Sequence, residues 1–155
     1  LRNIFIKLLL CSLLALSFAA PDQASAQQSK KRQAQIPMLS QLSQISPNQL
    51  QVTYDQPVDQ TKGTTPGNYW IQSTTEVTPT GIATLGKNDS VNNGNALTAD
   101  KVMIQPVANN AQSFMLTFKQ DIPKGMSYKM IICYVTQPGE PPYTGANGSA
   151  VFVGQ

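Results

Sequence analysis

The sequence predicts an all-β fold, a two-sheet sandwich of about seven short strands, and three observations carry the prediction. Short segments alternate apolar and polar residues with a period of two. Clusters of Pro, Gly, Asn and Asp separate them at the intervals expected of a sandwich. No stretch beyond the first twenty-six residues sustains a 3.6-residue apolar period with caps, which limits helices to single turns.

Taken in order, residues 36–45 space Leu39, Leu42 and Ile45 by three. That spacing suits a first strand with a bulge, or alternatively an arm that adds to the sheet edge of a neighbour. Gln49 to Tyr54 is a strand with Leu50, Val52 and Tyr54 on one face, entered through the Ser46-Pro47-Asn48 turn. Tyr69 to Ser73 follows the Pro66-Gly67 turn, with Tyr69 and Ile71 on one face and Trp70 on the other. Gly81 to Leu85 and Lys101 to Val107 read as strands, and the polar run Lys87 to Asn95 between them as a long loop. Ser113 to Phe118 sets Phe114, Leu116 and Phe118 against Ser113, Met115 and Thr117. After the Pro123-Lys124-Gly125 turn, Ser127 to Val135 places Tyr128, Met130, Ile132 and Tyr134 on one face and Lys129, Ile131, Cys133 and Val135 on the other. Ala150 to Val153 supplies a last strand.

Residues 1–26 read as an export signal. Arg2 and Lys7 precede the uncharged run Leu8 to Ala20, and Ala24-Ser25-Ala26 has the small-x-small pattern of a cleavage site. The run is shorter than the roughly 20 residues a membrane span needs, so no integral membrane anchor is expected and the protein is expected to be secreted, extracellular or at the cell surface. Gln27 to Gln35 have almost no apolar content, so residues 27–36 read as a disordered arm, leaving residues 37–155 as one sandwich domain. From Gln27 onward nine Lys or Arg stand against seven Asp or Glu, and three of the nine are Lys30, Lys31 and Arg32. The body is therefore near neutral, without the basic face that nucleic acid requires.

There is no histidine, and beyond the leader only one cysteine, Cys133. An imidazole-based triad is impossible and zinc loses its commonest ligand. An intramolecular disulfide is equally excluded in the secreted form, so packing alone must hold the core.

Several segments resemble the bacterial Ig-like domains found in S-layer and other secreted surface proteins. They are Asn48 to Asp59, with an aromatic, an acid, Pro57-Val58 and a second acid; Pro66-Gly67-Asn68-Tyr69-Trp70-Ile71; Phe114 to Phe118 followed by Ile122 to Tyr128; and Gly145-Ala146-Asn147-Gly148. The resemblance spans Met38 to Val153 and implies an immunoglobulin-like Greek-key β-sandwich in a surface protein.

Candidate sites are few. Asp55 and Asp59 are close in sequence, but each falls at a strand end or turn, where Asp bonds nearby backbone amides. Asp89, Asn93, Gly94 and Asp100 mimic part of a calcium loop, yet Val91 occupies a position that needs an oxygen ligand, and Asn93-Gly94 is a turn signal. Trp70, opposite Tyr69 and Ile71, either stacks on a ligand or lies beneath a neighbouring loop. The strand carrying Ile131, Cys133 and Val135 is apolar on both faces and needs a cover, from a loop, the arm or another subunit. Tyr143 joins these four as a binding or interface candidate. No catalytic residue, metal site or cofactor is expected. The expected function is a non-catalytic structural or assembly protein whose partner is itself or another surface protein. The alternative is a monomeric binding module for a glycan, wall polymer or partner protein.

Overall fold

The computed structural model describes residues 35–107 and 109–155. The export signal and most of the arm expected over residues 27–36 lie outside the described residues. Among the described residues seven strands form two antiparallel sheets. In chain order they are β1 (Leu39–Ser46), β2 (Gln49–Tyr54), β3 (Tyr69–Ser73), β4 (Val102–Pro106), β5 (Ser113–Phe118), β6 (Ser127–Cys133) and β7 (Ala146–Val153). One sheet has the order β1-β2-β5-β4 and the other β3-β6-β7.

Period-two alternation drives the larger sheet onto its partner. In β2 Leu50, Val52 and Tyr54 are buried while Gln49, Gln51 and Thr53 are not, and β5 repeats the pattern with Phe114, Leu116 and Phe118. The register places Leu50 opposite Leu116 and Val52 opposite Phe114, and β4 extends the layer by pairing Val102 with Phe118 and Ile104 with Leu116. From the smaller sheet Tyr69, Ile71, Tyr128, Met130 and Ile132 meet this face in one core. Each such side chain contributes about 1.5–3 kcal/mol on leaving water. Tyr54 and Phe114 touch edge to face, with ring centroids 6.0 Å apart.

The three-residue spacing in β1 comes from two bulges. Leu39 pairs with Tyr54 and Gln41 with Thr53, so Ser40 is an extra residue, and Gln44 and Ser46 oppose Leu50 and Gln49 with Ile45 extra between them. The first bulge brings both Leu39 and Leu42 against the core. The second turns Ile45 out to solvent, where it is half exposed.

Two strand expectations are corrected. Gly81 to Leu85 is not a strand: Ala83 N–H donates to Thr80 O in a turn, Gly81 has a left-handed φ of 62°, and only Leu85 makes an isolated bridge, to Gln72. The apolar residues Ile82, Ala83 and Leu85 are buried there without a ladder, because packing beneath the sandwich edge and not pairing accounts for them. The second correction is at Val135. Tyr134 adopts a left-handed φ of 69°, which ends β6 and reverses the alternation. Val135 therefore enters the main core, while Tyr134 turns to the face on which Val135 was expected.

Between β2 and β3 a single helical turn, α1 (Gln60–Gly63), is capped by Asp59, whose Oδ1 accepts from Lys62 N–H at 2.9 Å. Gly63 lies directly under the Phe114 ring, which leaves no room for a Cβ. Its carbonyl accepts the Tyr69 hydroxyl at 2.6 Å, and Tyr54 Oη lies 2.9 Å from Tyr69 Oη. With Tyr69 already donating to Gly63, Tyr54 is the donor of the second bond, and the pair ties α1, β2 and β3 together inside the core. Burial, reinforced for Tyr54 by its neighbouring phenol, raises both hydroxyls well above the usual phenol range.

Candidate functional site

The outer face of the β3-β6-β7 sheet divides into a covered half and an open half. On the covered half the chain between β3 and β4 forms a strap. Gln72 donates through its side-chain amide to the carbonyls of Gly86 and Lys87, at 3.1 and 3.3 Å. Leu97 N–H donates to Tyr69 O at 2.8 Å, and Ser73 N–H to Leu85 O at 2.8 Å. The free edge of β3 is thereby closed by strap backbone.

Trp70 lies wholly buried under this strap. Its Nε1–H donates to Asn92 O and Asn95 Oδ1, both at 3.0 Å. Asn92 and Asn95 also cap a single 3₁₀ turn at Asn93–Asn95, each side chain receiving a backbone N–H. The asparagine-rich run is thus a folded lid that satisfies the indole. Asp89 is used in the same way, its Oδ2 accepting from Gly86 N–H at 2.8 Å. Among the described residues no group of three or more His, Cys, Asp or Glu side chains is placed to hold a metal.

Three of the predicted residues come together here. Trp70, Cys133 and Ile131 share a second small cluster with Leu85, Ala96 and Tyr134, where the Trp70 and Tyr134 rings meet edge to face at 5.9 Å. The Trp70 indole presents no exposed face for stacking. Burial pushes the Cys133 thiol above its usual range and so away from the reactive thiolate. Val135 belongs to the main core and Tyr143 to the β6–β7 loop, where its hydroxyl donates to Ala146 O at 3.2 Å and its ring packs beneath Gly145.

A buried polar side chain that sequence reasoning missed is Asn147. It is fully buried, accepts from Val135 N–H at 2.9 Å, and donates to the carbonyls of Pro37 and Val135, both at 2.8 Å. One amide therefore joins the start of β7, the turn after β6 and the segment leading into β1. Its place in Gly145-Ala146-Asn147-Gly148 suggested only a loop, and a buried amide has no periodicity to give it away.

The open half of this face contains Ser127, Lys129 and Ile131 on β6, opposite Val153, Val151 and Ser149 on β7. Val151 and Val153 are 64% and 50% exposed. Across the molecule, the outer face of the larger sheet carries Gln41, Ser43, Gln49, Gln51, Thr53, Met103, Gln105, Ser113, Met115 and Thr117 and no charge at all. Amides and hydroxyls bond across the strands, as Gln49 to Thr117 and Thr53 to Ser113, both at 3.1 Å. The single charged side chain in any of the seven strands is Lys129.

Charge gathers instead at the strand ends. A cleft of about 350 Å³ is lined by Gly81, Ile82, Asp100, Lys101, Phe118, Lys119 and Gln120. Asp100 there is held below the usual carboxylate range, first by a hydrogen bond from Thr98 and then by its own backbone amide, with Lys119 and Lys101 adding smaller effects.

No family model and no curated protein matches this chain. Solved structures do. The chain is similar to part of the surface layer protein SbsC in a structure of its domains 1–6, with 16% sequence identity, a TM-score of 0.51, and coverage of 77% of this chain and 14% of that one. A crystal structure of the S-layer protein rSbsC gives 15% identity, a TM-score of 0.51 and the same coverage. The likeness is one of fold, and this chain spans about 14% of the length of those proteins.

Proposed function

We propose that this protein is a non-catalytic structural or assembly subunit of the cell surface, an immunoglobulin-like β-sandwich that associates with copies of itself. The observation that carries the reading is the near-absence of charge from the strands: Lys129 alone interrupts seven strands, four of them sheet edges. Solitary β-proteins keep their sheet faces and edges apart from others with Lys, Glu or Pro. A subunit designed to pack has no use for that protection. The fold supports the same reading. First, second, fifth and fourth strands in one sheet, with third, sixth and seventh in the other, supports the immunoglobulin-like Greek-key reading, since constant-type domains group their strands in this way. Its likeness to domains of a surface layer protein supports a scaffold role outside the cell, in keeping with the export signal that the sequence leads one to expect over residues 1–26.

A second reading, a monomeric binding module for a glycan, wall polymer or partner protein, draws on the cleft between Asp100, Lys101 and Lys119. Light scattering behind size exclusion, on the chain from Gln27 onward, separates the two. The structural reading expects a mass above one chain that rises with concentration and is indifferent to reductant, since Cys133 is buried. A single-chain mass throughout the accessible range would overturn it in favour of the binding module.

A further inference from the structure

We infer that the free edge of β7 is the self-association surface, and that it takes the β7 strand of a second copy, antiparallel about a two-fold axis, to make one continuous six-stranded sheet. The inference rests on the self-associating reading above and names the surface that reading leaves open.

The four sheet edges differ in how they are defended. β1 is bulged at Ser40 and Ile45. β3 is covered by the strap, which takes up its backbone groups. β4 is five residues long and closes on Pro106. β7 has eight residues, with no proline and no charge, and its one irregularity lies at its start, between Ile132 and Cys133 of the partner strand. Bulges, covers, short length and proline are the devices that stop edge-to-edge pairing, and the regular part of β7 has none of them. β1 of the other sheet packs beside β7 without pairing to it; the Asn147 amide reaches Pro37 and Leu39 packs on Gly148 near one end, and the Gln44 amide meets Gln155 near the other. From Ser149 to Val153 every second side chain is exposed.

The chemistry of this edge selects its occupant. An antiparallel pair centred on Val151 sets Val151 against its own copy, and Val153 against Ser149 of the copy on each side. These cross-strand neighbours place no like charges opposite one another. The two valines, more than half of whose combined surface faces water in one subunit, become a shared apolar row beside Ile131. A two-fold pairing of this kind closes on itself, as isologous contacts do, and leaves the uncharged outer face of the larger sheet for further packing.

The test is a charge swap at the axis. Val151→Lys and Val151→Asp are made in the chain from Gln27 onward, with circular dichroism to verify the fold, which an exposed position on an outer face should leave intact. Sedimentation of wild type should show a dimer. Val151→Lys sets two lysines face to face and should weaken association by about tenfold or more, and mixing it with Val151→Asp should restore a dimer containing one of each. If wild type and Val151→Lys associate equally, the β7 assignment is overturned while self-association by another surface stands. If wild type is a monomer at every concentration, both fail.

Discussion

Replacing Asn147 by alanine strips three hydrogen bonds from the interior at once. The Val135 N–H and the carbonyls of Pro37 and Val135 lose partners at 2.9, 2.8 and 2.8 Å, in a place where the side chain has no solvent exposure. A stranded buried N–H costs about 1–3 kcal/mol, and the two carbonyls add to it. A loss of about 3 kcal/mol is expected, against a total stability of about 5–15 kcal/mol for a domain of this kind. Urea unfolding followed by Trp70 fluorescence reads it directly. With a slope of about 1.5 kcal/mol/M, the midpoint falls by about 2 M. Asn147→Asp sharpens the test, since it retains the acceptor for Val135 N–H but points a carboxylate at two carbonyl oxygens. Its folded-state pKa must rise above the unfolded value of about 3.9. The acid is then neutral in both states below that value, where the deficit is smallest, and the deficit grows as pH rises through the folded-state pKa. An alanine variant within about 0.5 kcal/mol of wild type, together with a pH-independent aspartate variant, would refute the role given to this side chain.

Other consequences follow from the same packing. Because burial raises the Tyr54 and Tyr69 hydroxyls, the stability they confer is complete below an unfolded phenol pKa of about 10 and lost as pH rises through the folded values; Tyr69→Phe should flatten the alkaline limb of a stability-versus-pH curve. Trp70→Phe removes the indole bonds to Asn92 and Asn95, and should cost about 1–2 kcal/mol while speeding amide exchange in the strap more than in β2 or β5. Gly63→Ala drives a methyl into the Phe114 ring and should destabilise by about 1–3 kcal/mol in thermal unfolding, although alanine is the better helix former.

Much of this architecture was legible because period-two alternation is a local signal. β2, β3 and β5 have the bounds that their apolar residues mark out, and of the two readings that the spacing of Leu39, Leu42 and Ile45 left open the structure has the bulged strand. What failed was decided by contacts distant in sequence. Ile82, Ala83 and Leu85 have the composition of a strand, yet they lie beside the edge of β3 with Ile82 and Ala83 in the main core and Leu85 in the Trp70 cluster. The reversal at Tyr134 hangs on one left-handed residue that no periodicity reveals. β7 starts four residues before the alternation of Ala150 to Val153, because Asn147 and Gly148 resemble loop residues until the carbonyls of Pro37 and Val135 are placed beside them. As for the candidate site, the apolar second face of β6 was visible in Ile131 and Cys133. That a loop nearly devoid of apolar residues would cover Trp70 depended on Asn92 and Asn95 reaching the indole, which is geometry and not composition.

Amide hydrogen exchange across β7, measured at increasing protein concentration, reads the proposed pairing residue by residue. Amides between Ser149 and Val153 are expected to gain protection as concentration rises, while those of β4, with its own exposed edge, stay unchanged. Protection in β7 that is independent of concentration, or that rises equally in β4, would contradict that pairing.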